Sequence, residues 1–255
     1  MMIAFYKILG VAFFASSNLS WHSVQGFAVR EMTLKTKIDR NNRPAPSTNN
    51  RAGLRAVKID GYDEMFSIID QCSVRGESYE ELYDAVRFID RNALKIYPDL
   101  NHKHELWDDA KGSWKLQLAT GGGKFTAFKS VPIFAFAMID EENFGNGVGL
   151  NNEFIMLSLL GPHVFNASIR QMVINVDELF LFSKNITGSL PSFVSNAIGL
   201  RKRPEDWETG RPPAFTLIGA SQKSLVARGG SGGIAIWTRL KEDIRPAAYE
   251  KGRQN

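Results

Sequence analysis

The chain carries one cysteine, Cys72, in 255 residues. A lone thiol cannot close an intrachain disulfide, so a small secreted scaffold stapled by disulfides is excluded. Cys72 falls in step with Met65, Ile68 and Ile69 and reads as a small core residue rather than a catalytic thiol, which would want a nearby histidine. Histidine is scarce, four in all. His102-Lys103-His104 with Glu105, in a loop near Trp107, is the best candidate metal set. It has no third or fourth ligand at a convincing spacing, so it reads as an exposed polar linker. Long apolar runs are missing too. Ile8 to Ala15 falls well short of the roughly 20 residues that span a bilayer.

Complete catalytic and nucleotide motifs are also lacking. Gly121 to Gly123 followed by Lys124 suggests a phosphate loop, but Leu118 stands where its first glycine belongs and Phe125 where a Ser or Thr should follow the lysine. A flexible turn between strands is the better reading. Gly188-Ser189-Leu190 lacks the glycine that completes a hydrolase elbow. Asp140, Glu141 and Glu142 beside Asn143 and Gly145 have the look of a solvated turn rather than an acid–base pair. No nucleophile–base pair, no resident metal and no cofactor site is expected.

The net charge of +4 sits in one place. Residues 28 to 58 hold eight Lys and Arg against Glu31 and Asp39. Taking off this segment and Lys7 leaves residues 59 to 255 at −3. A mildly acidic folded part argues against nucleic acid as a partner. The basic tract reads as an address. Lys7 and the short apolar run make a signal-peptide core, with a credible cleavage point after Gly26. Phe27 then opens a stretch rich in Ser, Thr and Asn and poor in acids, as transit peptides are. Pro44 and Pro46 in that polar tract make stable structure there unexpected. The expected organisation is a signal peptide at 1–26, a disordered transit peptide at 27–58, a helical part at 59–108, a barrel at 109–242 and a tail at 243–255. A secreted protein with a disordered arm, and an N-terminal membrane anchor, are the alternatives.

What is abundant is periodic apolar sequence. Residues 62 to 72 carry apolar side chains at helical spacing. Ser78 and Glu81 have capping-box spacing. Leu82, Val86, Ile89, Ala93 and Ile96 then predict an amphipathic helix that stops before Pro98. The second half reads as strands. Trp114, Leu116 and Leu118 alternate with Lys115 and Gln117. Further strands are expected at 131–139, 154–160, 168–176, 178–183, 215–218, 224–228 and 234–240, most bounded by Gly, Pro or Asn. "PIFAFAMI" and "FIMLSLL" are apolar on both faces, which suits a wall with a lumen on one side and helices on the other. About eight strands at hairpin spacing favour an up-and-down barrel, with an open sandwich as the alternative. The fold class is therefore α+β, N-terminal helices packed against an antiparallel barrel.

The basic leader with phenylalanine at its junction resembles the bipartite leader of algae with secondary plastids, which enters the plastid through the endoplasmic reticulum. Together with "AVRFIDRNAL", "GSWKLQLAT", "MIDEENFGNGVGLNN" and "LVARGGSGGIAIWTR", it makes the chain resemble the plastid lipid-associated proteins, or fibrillins, over roughly residues 62 to 240. The resemblance implies N-terminal helices on a lipocalin-like β-barrel, and a structural or binding protein at plastoglobules or thylakoids, peripheral to a membrane or lipid-droplet surface, whose partners are carotenoids, quinones or acyl lipids. Gly112 and Trp114 match the family's opening strand, and Arg228-Gly229 its near-terminal Arg-Gly. Leu118 stands where an aromatic is usual and Gly230 where an acid is usual, which leaves the ligand open.

The candidate site residues follow from the barrel. Trp114 at the start of the first strand, stacked under Arg228 or Arg239, would close one end. Leu116, Phe136, Phe154, Met156, Met172 and Ile174 would accept a prenyl or acyl chain in the lumen. Burial alone explains each of these residues as plain core, and either arginine reads also as a solvated strand edge. Beyond Ser189, Phe193, Val194, Ile198 and Leu200 run into Arg201, Lys202 and Arg203. That stretch reads as a membrane-facing segment, a lid, or a loop packed on the outer wall. An enzyme that modifies a carotenoid or fatty acid on the same scaffold is the alternative function, and a secreted carrier a third.

Overall fold

The computed structural model describes residues 61–120, 127–151, 154–182, 184–192, 195, 200 and 213–244. The expected leader, the glycine run at 121–123 with Lys124, most of the stretch at 193–212 and the tail from 245 lie outside the described residues.

Three helices come first. α1 (Tyr62–Arg75) is bounded by Gly61 and Gly76, both with positive φ, and buries Phe66, Ile69 and Cys72. α2 (Glu80–Ile96) buries Leu82, Ala85, Val86, Ile89 and Ala93 along one stripe and ends before Pro98, as its spacing predicts. The capping box does not form. Tyr79 is the N-cap and no side chain caps the end. Glu80 and Glu81 favour that end instead, through the helix dipole.

α3 (Leu100–Ala110) corrects the reading of His102 to Glu105 as a loop. Asp99 caps it, its carboxylate accepting the His102 N–H at 3.0 Å. Lys103, Leu106, Trp107 and Ala110 form its buried face, an i, i+3, i+4, i+7 pattern that a lysine disguises. Lys103 buries its stem and donates from Nζ to the Ser168 carbonyl at 3.1 Å.

Eleven strands follow among the described residues: β1 (Gly112–Ala119), β2 (Lys129–Ser130), β3 (Phe134–Ile139), β4 (Asn143–Gly149), β5 (Ile155–Asn166), β6 (Gln171–Ile174), β7 (Glu178–Leu181), β8 (Lys184–Asn185), β9 (Ala214–Ala220), β10 (Ser224–Gly229) and β11 (Ile234–Arg239). Eight of them close a ring. Going round, β1, β3, β4, β5, β6, β9, β10 and β11 pair antiparallel with their neighbours, and β11 returns to β1. The ring follows chain order, so the eight strands form an up-and-down barrel.

Membership of the ring differs from the sequence expectation. The exposed turn expected at Asp140 to Glu142 is present, but β4 follows it in a stretch where no strand was expected, while β7 and β8 form a hairpin outside the ring. β5 is long enough to hold both arrangements. On the side away from β4, its residues 157–160 pair with β7 and its residues 163–166 with β6. The chain crosses at the junction, where Asn175 N–H donates to Pro162 O and Asp177 N–H to Leu160 O. Gly161 permits the crossing, since a Cβ there would lie 1.9 Å from Asn175 O.

Two cores result. α1 and α2 cover the outer wall, burying Phe66, Ile69, Leu82, Val86 and Ile89 against Leu118, Ile218, Val226, Ile234 and Ile236. The second core fills the barrel interior.

Candidate ligand-binding site

Strand alternation and the two clusters together decide which side chains face inward. Trp114, Leu116, Ala135, Ala137, Phe144, Leu157, Leu159, Met172, Ile174, Phe215, Leu217 and Trp237 belong to one buried cluster. They leave almost no accessible surface, so the described interior is lined and largely occupied by apolar side chains. Of the expected site residues, this brings together Trp114, Leu116, Met172 and Ile174.

The other four lie elsewhere. Phe136 sits between inward Ala135 and Ala137 and therefore faces out, its ring against the bare backbone of Gly147. Met156 precedes inward Leu157 and also faces outward, its carbonyl accepting the Phe182 N–H. Phe154 precedes β5 and is exposed beside Phe182, ring centroids 5.9 Å apart. Arg228 follows inward Ala227, so it leaves the barrel and pairs with Asp90 of α2. Leu118 changes face as well. A β-bulge between Leu116 and Leu118 sets Leu118 opposite outward Ile236, and it packs under the helices.

One end of the barrel is closed from the C-terminus of α3. Trp107 stacks on Phe165 at 4.7 Å and meets the His163 ring edge-on at 5.0 Å. Trp114 Nε1 donates to Ala110 O at 2.8 Å. The Arg239 guanidinium lies 4.1 Å from the Trp114 ring centroid. It donates to Lys111 O at 2.7 Å, Asp109 O at 2.6 Å and Gln222 O at 3.0 Å. One cation thereby holds the carbonyl end of α3, the β9–β10 turn and the last strand together, where the helix dipole also favours it. Burial lowers the Arg239 pKa and raises that of the Asp109 carboxyl; each opposes the other's shift.

The opposite end carries exposed apolar side chains: Leu150, Phe154 and Phe182. Phe182 has φ 47°, a conformation bulky residues rarely adopt, at the tip of the β7–β8 hairpin. At mid-wall, Asn146 of β4 points inward between Phe144 and Val148 and is 4% exposed.

A groove of about 540 Å³ lies outside the barrel, between α1 and the β9–β10 turn, with Tyr62, Phe66 and Lys223 on its walls. It is a joint open to solvent. Its Asp70 carboxylate already accepts from Ser221 Oγ at 2.7 Å and from Ser224 Oγ. The barrel interior matches an apolar ligand better in chemistry, and the side chains that now fill it are the ones such a ligand would repack.

Among the described residues, no three His, Cys, Asp or Glu side chains gather in a way that would hold a metal. His102 instead turns its Nδ1 to Asp99 at 2.8 Å. No described helix is long and apolar enough to cross a membrane.

Eight antiparallel strands closed in chain order, plugged at one end by a helix and apolar within, define a lipocalin-like barrel. That architecture suits hydrophobic molecules. No protein-family model matches the chain, and no curated protein does. Solved structures do. A lipocalin-like protein from Bacteroides uniformis is similar at 16% identity with a TM-score of 0.32, over 52% of this chain and 99% of that one. An uncharacterized protein from Bacteroides eggerthii is similar at 12% identity with a TM-score of 0.33, over 52% of this chain and 100% of that one.

Proposed function

We propose that this protein is a plastid lipid-associated protein of the fibrillin type, which holds or organises a carotenoid, quinone or acyl lipid and works by binding rather than catalysis. The closed barrel with its apolar interior carries this reading. Burying a long apolar chain there is worth about 25 cal/mol per Å² of surface removed from water. Strand alternation turns three polar side chains to that face among the described wall residues, Asn146 at mid-wall and His163 and Arg239 at the end under α3, and no serine, threonine or cysteine nucleophile stands with them. Trp114, Leu116, Met172 and Ile174 are the contacts proposed from the expected set, with methionine giving the wall adaptable shape.

Peripheral attachment to a lipid surface is part of the same reading. Leu150, Phe154 and Phe182 present apolar surface at the end away from α3, where Lys184 follows Phe182 in the hairpin. Aromatic side chains beside a basic residue suit the interface of an anionic membrane or droplet. The proposed address is the plastid, reached through the endoplasmic reticulum, and its support is the basic, acid-poor tract that Phe27 opens.

Two experiments test this. Lipids extracted from the natively purified protein and read by mass spectrometry should yield a stoichiometric carotenoid, quinone or acyl lipid; empty extracts would sink the binding reading. A fluorescent reporter fused behind residues 1–58 should enter the plastid, and Phe27→Ala should strand it outside. Secretion of the unaltered fusion would remove the plastid address. Turnover of a prenyl lipid or fatty acid by the purified protein would move it to the enzymes.

A further inference from the structure

We propose that Asn146 is the polar anchor of a ligand site inside the barrel and that the occupant is an apolar molecule bearing a hydroxyl group. The proposal rests on the reading of the interior as a binding cavity and narrows its ligand class.

Asn146 is buried and faces inward, in register with Ala137 of β3 on one side and Leu159 of β5 on the other. Ala137 is in turn in register with Trp114. The amide thus lies among apolar groups, with the small Ala137 between it and the large indole. Its Oδ1 is fully buried and has no hydrogen-bond partner. Such an orphan demands an explanation, because buried polar atoms in folded proteins are nearly always paired.

Holding the fold together does not supply one. Four buried hydroxyls elsewhere do hold it: Ser113 accepts from Ile244 N–H, Thr120 from Ile234 N–H and Thr187 from Leu179 N–H, while Ser224 donates to Asp70. Each ties two segments. Asn146 ties none through Oδ1, and it interrupts an apolar cluster in which a leucine would fit by size and polarity.

The unmet chemistry selects the occupant. An amide offers an oxygen that accepts and a nitrogen that donates. A hydroxyl satisfies both at once, since it donates to Oδ1 and accepts from Nδ2–H. A quinone carbonyl or an ester has only acceptors and leaves Oδ1 bare. A pure hydrocarbon leaves both bare. A carboxylate brings a charge into an apolar interior whose inward cation, Arg239, sits at the closed end with its donors already on backbone carbonyls. An alcohol of a prenyl, acyl or polyene chain is the matching class.

Retinol and retinyl acetate are suitable probes, because they share one polyene and differ at the hydroxyl. Energy transfer from Trp114 and Trp237, both in the interior cluster, reports entry of either. The wild-type protein is expected to bind retinol about tenfold more tightly, equivalent to about 1.4 kcal/mol. In Asn146→Leu that ratio should collapse towards one, through loss of retinol affinity rather than gain of the ester. The apo variant should unfold at the same denaturant concentration as wild type or a higher one, since an unpaired amide has been removed. Equal binding of both probes by wild type would overturn the proposal without any variant. So would a preference for retinol that survives Asn146→Leu, or a variant whose lowered unfolding midpoint marks the residue as structural. Failure of both probes to enter the wild-type barrel would be different in kind, removing the binding-cavity reading itself.

Discussion

The Arg239 guanidinium lies 4.1 Å from the centre of the Trp114 ring and closes one end of the barrel. Neither residue does this alone. The indole is fully buried and anchored through Nε1 to Ala110 O. The guanidinium spends its donors on backbone carbonyls of α3, Lys111 and the β9–β10 turn. Arg239→Ala leaves those carbonyls without a charged donor and should cost about 2–4 kcal/mol, as a short network of charge-assisted bonds is removed. Arg239→Lys should recover only part of this, because a point charge cannot serve three carbonyls and the ring at once. Urea unfolding of the three proteins decides the order.

Trp114→Ala should cost about 3–5 kcal/mol, the usual loss for a large buried aromatic. Trp114→Phe keeps most of the packing and loses the bond to Ala110, so about 1–2 kcal/mol is expected. A loss below about 0.5 kcal/mol for the alanine variant would show that the end is not closed by this ring, since that is the scale of surface changes.

Gly147→Ala tests the wall at β4. A Cβ there would lie 2.3 Å from Leu157 O and 2.8 Å from the Phe136 ring. Backbone on one side and a buried ring on the other cannot both yield, so about 1–3 kcal/mol of stability should be lost. Thermal unfolding followed by circular dichroism measures it. An unchanged midpoint would contradict the close approach of β4 to β5.

The Asp99 cap gives a pH signature. The His102 N–H and ring nitrogen bond its carboxylate and hold its pKa below the ordinary value. A carboxyl depressed in the folded state contributes stability above its unfolded pKa and loses it as pH falls through the folded one. Asp99→Ala should therefore lower the urea midpoint at neutral pH. The gap should narrow as the pH drops below the ordinary carboxylate range. A gap that stays constant into acid would show that charge plays no part in the cap.

The apolar end should govern surface binding. The double variant Phe154→Ser, Phe182→Asn is expected to lose co-sedimentation with phosphatidylglycerol–phosphatidylcholine vesicles. It should fold as well as wild type, because both rings are exposed and asparagine tolerates the positive φ at 182. Undiminished vesicle binding would move the contact to another surface.

Much of the architecture is legible in residue order alone. The stripe Leu82, Val86, Ile89 and Ala93 specifies α2 whatever covers it, because a 3.6-residue period leaves no other element that keeps those side chains together. The alternation at Trp114 and Leu116 and the clusters of Gly, Pro and Asn between apolar runs mark most wall strands. β4 is illegible for a local reason. Gly145, Gly147 and Gly149 occupy every second position, so no apolar alternation is left to see. Those glycines exist because of tertiary neighbours, since Leu160, Phe136 and the β5 backbone fill the space their side chains would need.

The site depended still more on closure. Phe136 and Met156 lie in strands that are apolar on both faces, and a period of two separates the faces without saying which one is inside. Only the ring and the helices α1 and α2 laid against its outer wall decide that. The bulge in β1 then moves Leu118 from the inner to the outer core, a change that a simple alternation cannot contain. Arg228 and Arg239 look interchangeable in sequence, each near the end of a late strand. Position around the barrel separates them, since Arg228 meets Asp90 outside while Arg239 lies in register with Trp114 at the start of β1 and stacks on it. Residue order determined which segments form and which side chains share a face. Closure of the ring determined which of those faces became an interior.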